Sequence, residues 1–189
     1  MSQATVDQKA GYQVSVLLSE ADIQARIQAL GRQLTEDYAG QTLTVVGVLK
    51  GSFLFMADLV RQMNLPVQCE FLGVSSYGHD TKSSGEVKVT SDLTRPLSGQ
   101  HVLVVEDIID TGLTLAYILR TLSARNPASL KVCCLLDKRE RRQIEIEADY
   151  VGFTIPNAFV VGYGLDYAGL MRNLPFVGVL HLDGDPHEG

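Results

Sequence analysis

The chain has 189 residues, of which 46% are hydrophobic, enough for a domain that buries about 70% of its unfolded surface without disulfide bonds. The three cysteines form no C-x-x-C pair and indicate a reducing compartment. The net charge of −6 argues against general binding to nucleic acid or anionic membranes. Because the N-terminus lacks a basic segment followed by an apolar core, and no run of about 18 apolar residues occurs, we expect a soluble cytoplasmic protein.

The first half of the chain is predicted to alternate helices and strands after a flexible polar arm, residues 1–13. Ser19 followed by Asp22 is typical of a helix N-cap, and apolar residues then recur at helical spacing until Gly40. The next elements are a strand that is apolar on both faces, a helix and a second strand, at residues 42–49, 53–63 and 67–77.

The sequence GHDTKSSG comes next and has nothing to bury. Together with the alternating EVKVTSDL it predicts a β-ribbon with a mobile tip, called here the mobile loop, residues 76–88. The remaining elements are a strand, a helix and four strands, at residues 101–106, 113–124, 130–136, 150–155, 159–165 and 177–182. This alternation predicts a single α/β domain over residues 14–189 with a mostly parallel sheet.

Three carboxylates, Glu106, Asp107 and Asp110, follow an apolar strand and precede a helix. Ligands bind at such carboxyl ends of parallel strands. The Thr-Gly-x-Thr turn, residues 111–114, offers hydroxyls and helix N-terminal N–H groups to a phosphate. Since three carboxylates would repel a bare phosphate, a sugar phosphate with magnesium fits better. The alternative is that Asp110 merely caps the helix and the other two acids are solvated.

The sequence VVEDIIDTGLTL resembles the phosphoribosyl-diphosphate (PRPP) motif of the type I phosphoribosyltransferases. Its E-D-I-I-D-T-G-x-T form resembles the purine-salvage branch, the hypoxanthine-guanine phosphoribosyltransferases. The similarity covers nearly the whole chain after the N-terminal arm. It implies the fold of that family, a mostly parallel central sheet flanked by helices, with a small purine-binding hood formed by the N- and C-terminal segments.

The resemblance also implies a role for each residue of this motif. Glu106 and Asp107 would bind the ribose hydroxyls and Mg²⁺, and Asp110 would be the catalytic general base beside N7 of the purine. The 5′-phosphate would be held by Asp110, Thr111, Gly112, Leu113 and Thr114. Leu113 stands where some relatives carry lysine or another polar residue, and it would act through its backbone N–H.

Two further segments match parts of the family that contact PRPP. Lys50-Gly51 would contact pyrophosphate through a Lys-Gly peptide that can adopt the cis form, although a lysine that ends a strand is by itself usually solvated. Ser76-Tyr77 of the mobile loop would close over PRPP and exclude water. Without the other motifs, the same loop would be interpreted as a disordered hairpin tip.

Two more segments match the purine side of the site. Lys138 would donate a hydrogen bond to O6 of a 6-oxopurine, and it would disfavour adenine because the 6-amino group is itself a donor. The neighbouring Arg139, Arg141 and Arg142 are predicted to form a solvated or subunit-contact surface.

The last match is NAFVVGYGLDYAGLMRNLP, whose Phe-Val-Val would otherwise be a core strand. The resemblance implies that Phe159 stacks on the base and that the backbone of Val160 reads its edge. Asp166 would lie near a second magnesium ion, and Arg172 would contact pyrophosphate.

The predicted reaction joins N9 of hypoxanthine, and probably of guanine, to C1 of PRPP with Mg²⁺, which gives IMP or GMP and pyrophosphate. We expect no nucleic-acid or membrane partner and, from the resemblance, a homodimer or homotetramer. Two alternatives stay open. One is a regulatory nucleotide-binding protein that kept the PRPP fold but lost turnover, for which we would expect a basic face. The other is a phosphoribosyltransferase for another base, such as xanthine or a pyrimidine.

Overall fold

The computed structural model describes residues 12–76 and 87–182, which form two sheets and three helices. The strands of the large sheet are β2 (Leu43–Leu49), β3 (Val67–Ser76), β4 (Val87–Ser91), β5 (His101–Ile109), β6 (Ser129–Asp137) and β7 (Tyr150–Thr154). The small sheet contains β1 (Tyr12–Leu18), β8 (Val160–Val161) and β9 (Val177–Leu182). The helices are α1 (Glu20–Asp37), α2 (Phe53–Arg61) and α3 (Leu113–Ser123). None of these helices is long and apolar enough to cross a membrane.

The large sheet has the strand order β4-β3-β2-β5-β6-β7, in which only the edge strand β4 runs antiparallel to its neighbour. Helices cover both faces of the sheet. Successive residues of a strand point to opposite faces, so each central strand contributes side chains to both cores. Val45 of β2 packs in the core cluster of α1 and α2, and Val46 packs in the cluster of α3. The predicted mostly parallel α/β architecture is therefore present, and the carboxyl ends of its parallel strands meet at one edge.

Helix α1 begins where the sequence predicted it. The Ser19 hydroxyl accepts a hydrogen bond from the Asp22 N–H at 3.2 Å, and the Asp22 carboxylate accepts from the Ser19 N–H at 3.4 Å. Such a capping box typically stabilises a helix by about 1 kcal/mol. The residues at helical spacing, Ile23, Ile27, Leu30 and Leu34, are fully buried.

The prediction that residues 1–13 form a flexible arm was wrong at its C-terminal end. Strand β1 begins at Tyr12 and pairs antiparallel with β9, which also pairs with β8. Val14 is buried but Gln13 and Val16 are exposed, so this strand has too few buried residues to show a clear alternation in the sequence. The small sheet joins an N-terminal strand to two C-terminal ones, as expected for the hood.

The ribbon predicted around the mobile loop is confirmed at its base. Strands β3 and β4 pair antiparallel up to the register Ser76↔Val87. Residues 77–86, which include Tyr77 and most of the predicted mobile loop, lie outside the described residues. The closure of the loop over PRPP stays a prediction.

Candidate active site

A cavity of about 320 Å³ opens at the carboxyl edge of the large sheet. Four parts of the chain line it: the end of β2 with the residues after it, Val74 of β3, the end of β5 with the turn into α3, and the loop after β8. The predicted site residues that it brings together are Lys50, Gly51, Glu106, Asp107, Asp110, Thr111, Gly112, Thr114, Asp166 and Arg172.

Two adjacent acids form the floor of this cavity. Strand β5 continues through Ile109, so Glu106 and Asp107 lie within its last residues and not after its end. Burial and the neighbouring Asp107 charge raise the pKa of Glu106 well above its usual range. Burial also raises the pKa of Asp107, against the opposing charge of Arg172. Two adjacent carboxylates with raised pKa values are stabilised by a cation that binds between them and a ligand, because the cation offsets the cost of their negative charge.

Gly51 lets three distant segments meet around the acids. A Cβ atom on Gly51 would lie 1.6 Å from Oδ2 of Asp107. Gly164 has a φ of +101°, and a Cβ there would lie 2.0 Å from the Gly51 carbonyl oxygen. Since any side chain at either position would displace its neighbour, the loop after β2, β5 and the loop after β8 depend on these two glycines for their spacing.

The cis peptide bond lies one position earlier than predicted. It joins Leu49 to Lys50, and not Lys50 to Gly51. Neither peptide contains proline, the residue whose presence normally marks a cis bond, so the residue types could not distinguish the two positions.

The turn predicted to bind phosphate has the required backbone. Gly112 has a φ of +86° and is the N-cap residue of α3, but as a glycine it has no side chain to cap the helix. The Leu113 N–H donates to the Thr111 hydroxyl at 3.4 Å. Thr114 and Leu115, in the first turn of that helix, line the cavity. The uncapped N-terminus of an α-helix offers N–H donors and the positive end of the helix dipole to an anion. Leu113 itself is not among the lining residues, so its predicted contribution through the backbone N–H stays a prediction.

Asp110 lies between two cationic side chains. Its Oδ1 is 3.3 Å from Nε of Arg141, yet within residues 12–76 and 87–182 this shielded oxygen accepts no hydrogen bond of proper geometry. Lys138 is 6% exposed, and its N–H donates to the Ile109 carbonyl at 3.0 Å. Burial lowers the pKa of the Lys138 ammonium, whereas the Asp110 carboxylate opposes that shift. Lys138 is therefore close enough to Asp110 for their charges to interact, although it does not line the cavity.

Val160 begins β8 of the small sheet, Phe159 directly precedes it, and both residues lie outside the cavity lining. Phe159 is 54% exposed, and its ring meets Tyr167 edge to face at a centroid distance of 5.9 Å. Val160 is buried, so only its backbone could meet a base, as predicted. An exposed aromatic face held by a second ring is available for stacking.

Comparison with known proteins decides the family. The model of the phosphoribosyl transferase domain matches residues 14–168. The chain belongs to the phosphoribosyltransferase family. It is 51% identical over 175 residues to the hypoxanthine phosphoribosyltransferase of Haemophilus influenzae, which covers 91% of this chain and 98% of that protein. It is 49% identical over 165 residues to the hypoxanthine-guanine phosphoribosyltransferase of Bacillus subtilis, with 87% and 92% of the two chains covered.

A solved phosphoribosyltransferase has the same fold. The crystal structure of a hypoxanthine phosphoribosyltransferase from Staphylococcus aureus superposes with a TM-score of 0.85 at 49% identity and covers 88% of this chain and 91% of that one. The predicted family, its hypoxanthine-guanine branch and its fold are thereby confirmed.

In this phosphoribosyltransferase, Asp166 and Arg172 bind each other. Their side chains lie 2.6 Å apart, and the second Asp166 oxygen accepts from the Gly169 N–H at 2.7 Å. Arg172 also donates to the Gly164 carbonyl at 2.6 Å. A second magnesium ion at Asp166 would have to share carboxylate oxygens that already have protein partners.

The donor set fits a magnesium ion that is completed by substrate. No group of three or more His, Cys, Asp or Glu side chains in the described part of the chain is arranged to hold a metal by itself. Mg²⁺ usually binds to one or two carboxylates together with water and substrate oxygens. The buried Glu106 and the half-buried Asp107 provide carboxylate oxygens, hard ligands of that kind.

Sequence reasoning missed two clusters that support the site. Arg142 was predicted to belong to a solvated or subunit-contact surface, but its side chain is only 15% exposed and is paired with the buried Asp137. Arg139, which is 67% exposed, agrees with that prediction. On the other side of the sheet, Tyr163 donates to Asp58 of α2 at 2.5 Å. Asp137 ends β6 five residues before Arg142, and this spacing could have indicated the first cluster. The contact of Tyr163 with Asp58 depends wholly on the tertiary fold.

Proposed function

We propose that this phosphoribosyltransferase acts in purine salvage. It transfers the 5-phosphoribosyl group of PRPP to N9 of hypoxanthine and of guanine, which gives IMP or GMP and pyrophosphate. The observation that carries the proposal is one cavity in which two adjacent acids, Glu106 and Asp107, adjoin a helix N-terminus whose N-cap residue, Gly112, has no capping side chain. A sugar phosphate presents hydroxyls whose hydrogen bonds the two acids can accept and a phosphate that the helix N-terminus can bind. The names of the relatives at about half identity support a 6-oxopurine as the acceptor.

The acids and the turn hold PRPP from its two ends. Glu106 and Asp107 accept hydrogen bonds from the ribose hydroxyls and, together with substrate oxygens, hold Mg²⁺. The ion, when bound, neutralises charge that develops on the leaving pyrophosphate. The Thr111–Thr114 turn donates N–H and hydroxyl groups to the 5′-phosphate. Lys50 and Arg172, at the rim of the same cavity, add positive charge for the pyrophosphate.

Asp110 acts as the general base. Asp110 lines the cavity, and its Oδ1, although 3.3 Å from Nε of Arg141, accepts no hydrogen bond from the residues that the structure describes. We assign to this carboxylate the proton of purine N7. Loss of that proton raises the electron density at N9, the atom that attacks C1. As the C1–O bond lengthens, positive charge grows on the ribose, and the nearby carboxylates stabilise it.

Lys138 and Phe159 bind the base. The Lys138 ammonium donates to O6 of hypoxanthine or guanine from its place beside Asp110. Adenine presents an amino group at that position, so the buried ammonium would lose its acceptor. The exposed ring of Phe159 stacks on the purine face.

The test is an absorbance assay with PRPP, Mg²⁺ and five bases: hypoxanthine, guanine, xanthine, adenine and uracil. We expect turnover with hypoxanthine and guanine, little with xanthine and none with adenine or uracil. A protein that binds PRPP but turns over no base would instead be a regulatory relative. Preference for xanthine or uracil would overturn the assignment of the base.

A further inference from the structure

A segment behind the phosphate turn links the purine side of the site to the PRPP side. This backing segment, residues 137–146, begins at the end of β6 and lies in the connection from β6 to β7. The Lys138 N–H donates to the Ile109 carbonyl at 3.0 Å, and the Gln143 N–H donates to the Thr111 carbonyl at 3.0 Å. The same ten residues thus carry the proposed purine reader and contact the proposed phosphate turn.

The backing segment also packs directly on Gly112. A Cβ atom there would lie 2.7 Å from Cγ2 of Ile146 and 3.1 Å from Cδ of Arg142. Only a glycine leaves room for this contact, so the position of the turn depends on where the side chains of the segment lie. A displacement of the segment would move the turn or open a gap beneath it.

Arg142 closes the backing segment on itself. One terminal nitrogen donates to the Asp137 carboxylate, and the other donates to the Ile146 carbonyl at 2.5 Å. The Asp137 side chain is 7% exposed and that of Arg142 is 15% exposed. A buried ion pair contributes little net stability, because desolvation offsets the attraction, but breaking it leaves an uncompensated charge. Its clear structural effect is to fix the two ends of the segment relative to each other.

We propose that Asp137 and Arg142 are a positioning pair that sets the distance between Lys138 and the phosphate turn. The proposal rests on the proposed function of that turn and of Lys138. Neither member of the pair acts on the reacting atoms. When the pair is lost, the segment relaxes, so the protein should bind both substrates less well while the chemical step in the assembled complex is largely retained.

Arg139 provides a matched control because it binds the same carboxylate. Its Nε donates to Asp137 at 3.0 Å, but the side chain is 67% exposed, and that bond is its only side-chain hydrogen bond within the described ranges. Arg139→Ala removes one cation from Asp137 without disturbing the contacts with Ile146 or Gly112. A second control, Ile23→Val, removes one methylene group from the core beneath α1, away from the cavity. It therefore measures the effect of lost stability alone.

The experiment compares kcat and both KM values for Arg142→Ala, Arg142→Lys, Arg139→Ala and Ile23→Val, well below each melting temperature. For Arg142→Ala we expect KM for PRPP and for hypoxanthine to rise about tenfold or more, with kcat within about threefold. Arg142→Lys should recover part of both KM values. Arg139→Ala and Ile23→Val should stay within about twofold of the parent chain.

Equal KM values for Arg142→Ala and Arg139→Ala would overturn the positioning role, as would a loss of melting temperature without a change in either KM. Should Arg142→Ala fail to fold, Asp137→Asn, which keeps an acceptor oxygen and the side-chain shape, decides the question by the same two KM values. If the parent chain turned over no base, the proposed function would fall. The pair would then be judged from PRPP binding, measured as the thermal shift of the parent, Arg142→Lys and Arg139→Ala proteins.

Discussion

The free protein should become more stable when Glu106 is replaced by glutamine. Glu106 is 6% exposed, and its pKa is raised by burial and by the Asp107 charge. A carboxyl group whose pKa is higher in the folded than in the unfolded protein contributes stability that is fully present below its unfolded pKa. That contribution is lost as the pH rises through the folded pKa. Near pH 7 this stability is lost in the ligand-free parent protein. The Glu106→Gln protein does not lose it, because its amide does not ionise.

The size of this effect follows from the type of change. Stabilising substitutions such as charge optimisation commonly add about 0.5–2 kcal/mol, and we take the upper part of that range, about 1–2 kcal/mol, because Glu106 is buried. For a chain of this length, each 1 kcal/mol shifts the melting temperature by about 2–4 °C. We thus expect Glu106→Gln to melt about 2–8 °C higher than the parent at pH 7. The difference should shrink towards pH 4, below the ordinary glutamate pKa of about 4.5, because the raised pKa leaves Glu106 of the parent protonated there.

Thermal unfolding without and with Mg²⁺ and PRPP measures two quantities, the stability of the ligand-free protein and the stabilisation that the ligand adds. Saturation to about 100 times Kd stabilises a protein by about 2.7 kcal/mol, and Glu106→Gln should lose most of that gain. Its melting curve should thus lie above that of the parent without ligand and at or below it with ligand. The exposed Glu36 gives the control, since Glu36→Gln should change stability by less than about 0.5 kcal/mol. A ligand-free Glu106→Gln protein no more stable than the parent at pH 7 would refute the reasoning.

Three further substitutions test individual roles. Asp110→Asn should lower kcat by about 100-fold or more while it changes KM for PRPP little, and unchanged turnover would remove the general base. Lys138→Ala should raise KM for hypoxanthine about tenfold or more, because a hydrogen bond from a charged donor is lost. Equal losses for hypoxanthine and PRPP would contradict its role. Gly51→Ala should displace the Asp107 carboxylate and weaken PRPP binding at least about tenfold in calorimetry, whereas near-parental affinity would show that the loop adapts.

Site residues whose role follows from their residue type and local spacing were predictable from the sequence. Glu106, Asp107 and the Thr-Gly-x-Thr turn combine acids, glycine and hydroxyls at a strand-to-helix junction, and the structure places them around one cavity. The capping box at Ser19 was equally local, since both partners lie within one turn. Such features require no knowledge of distant parts of the chain.

Features that depend on tertiary packing were not predictable. Strand β1 is half exposed and gains its structure from pairing with β9, at the other end of the chain. Arg142 looked like one member of a solvated basic run, and only its burial against Asp137 distinguishes it from Arg139. The homodimer or homotetramer, the cytoplasmic location, the single domain over residues 14–189 and the closure of the mobile loop stay predictions.

The contact of Gly51 with both Asp107 and Gly164 also bears on how the molecule acquires its activity. These three positions are far apart in the chain, so each contact closes a long loop, which is the slow kind of step in folding. A chain refolding from denaturant could regain its helices and most of its core well before all three segments dock. Recovered turnover would then mark the last event of maturation, and circular dichroism would reach its final value first.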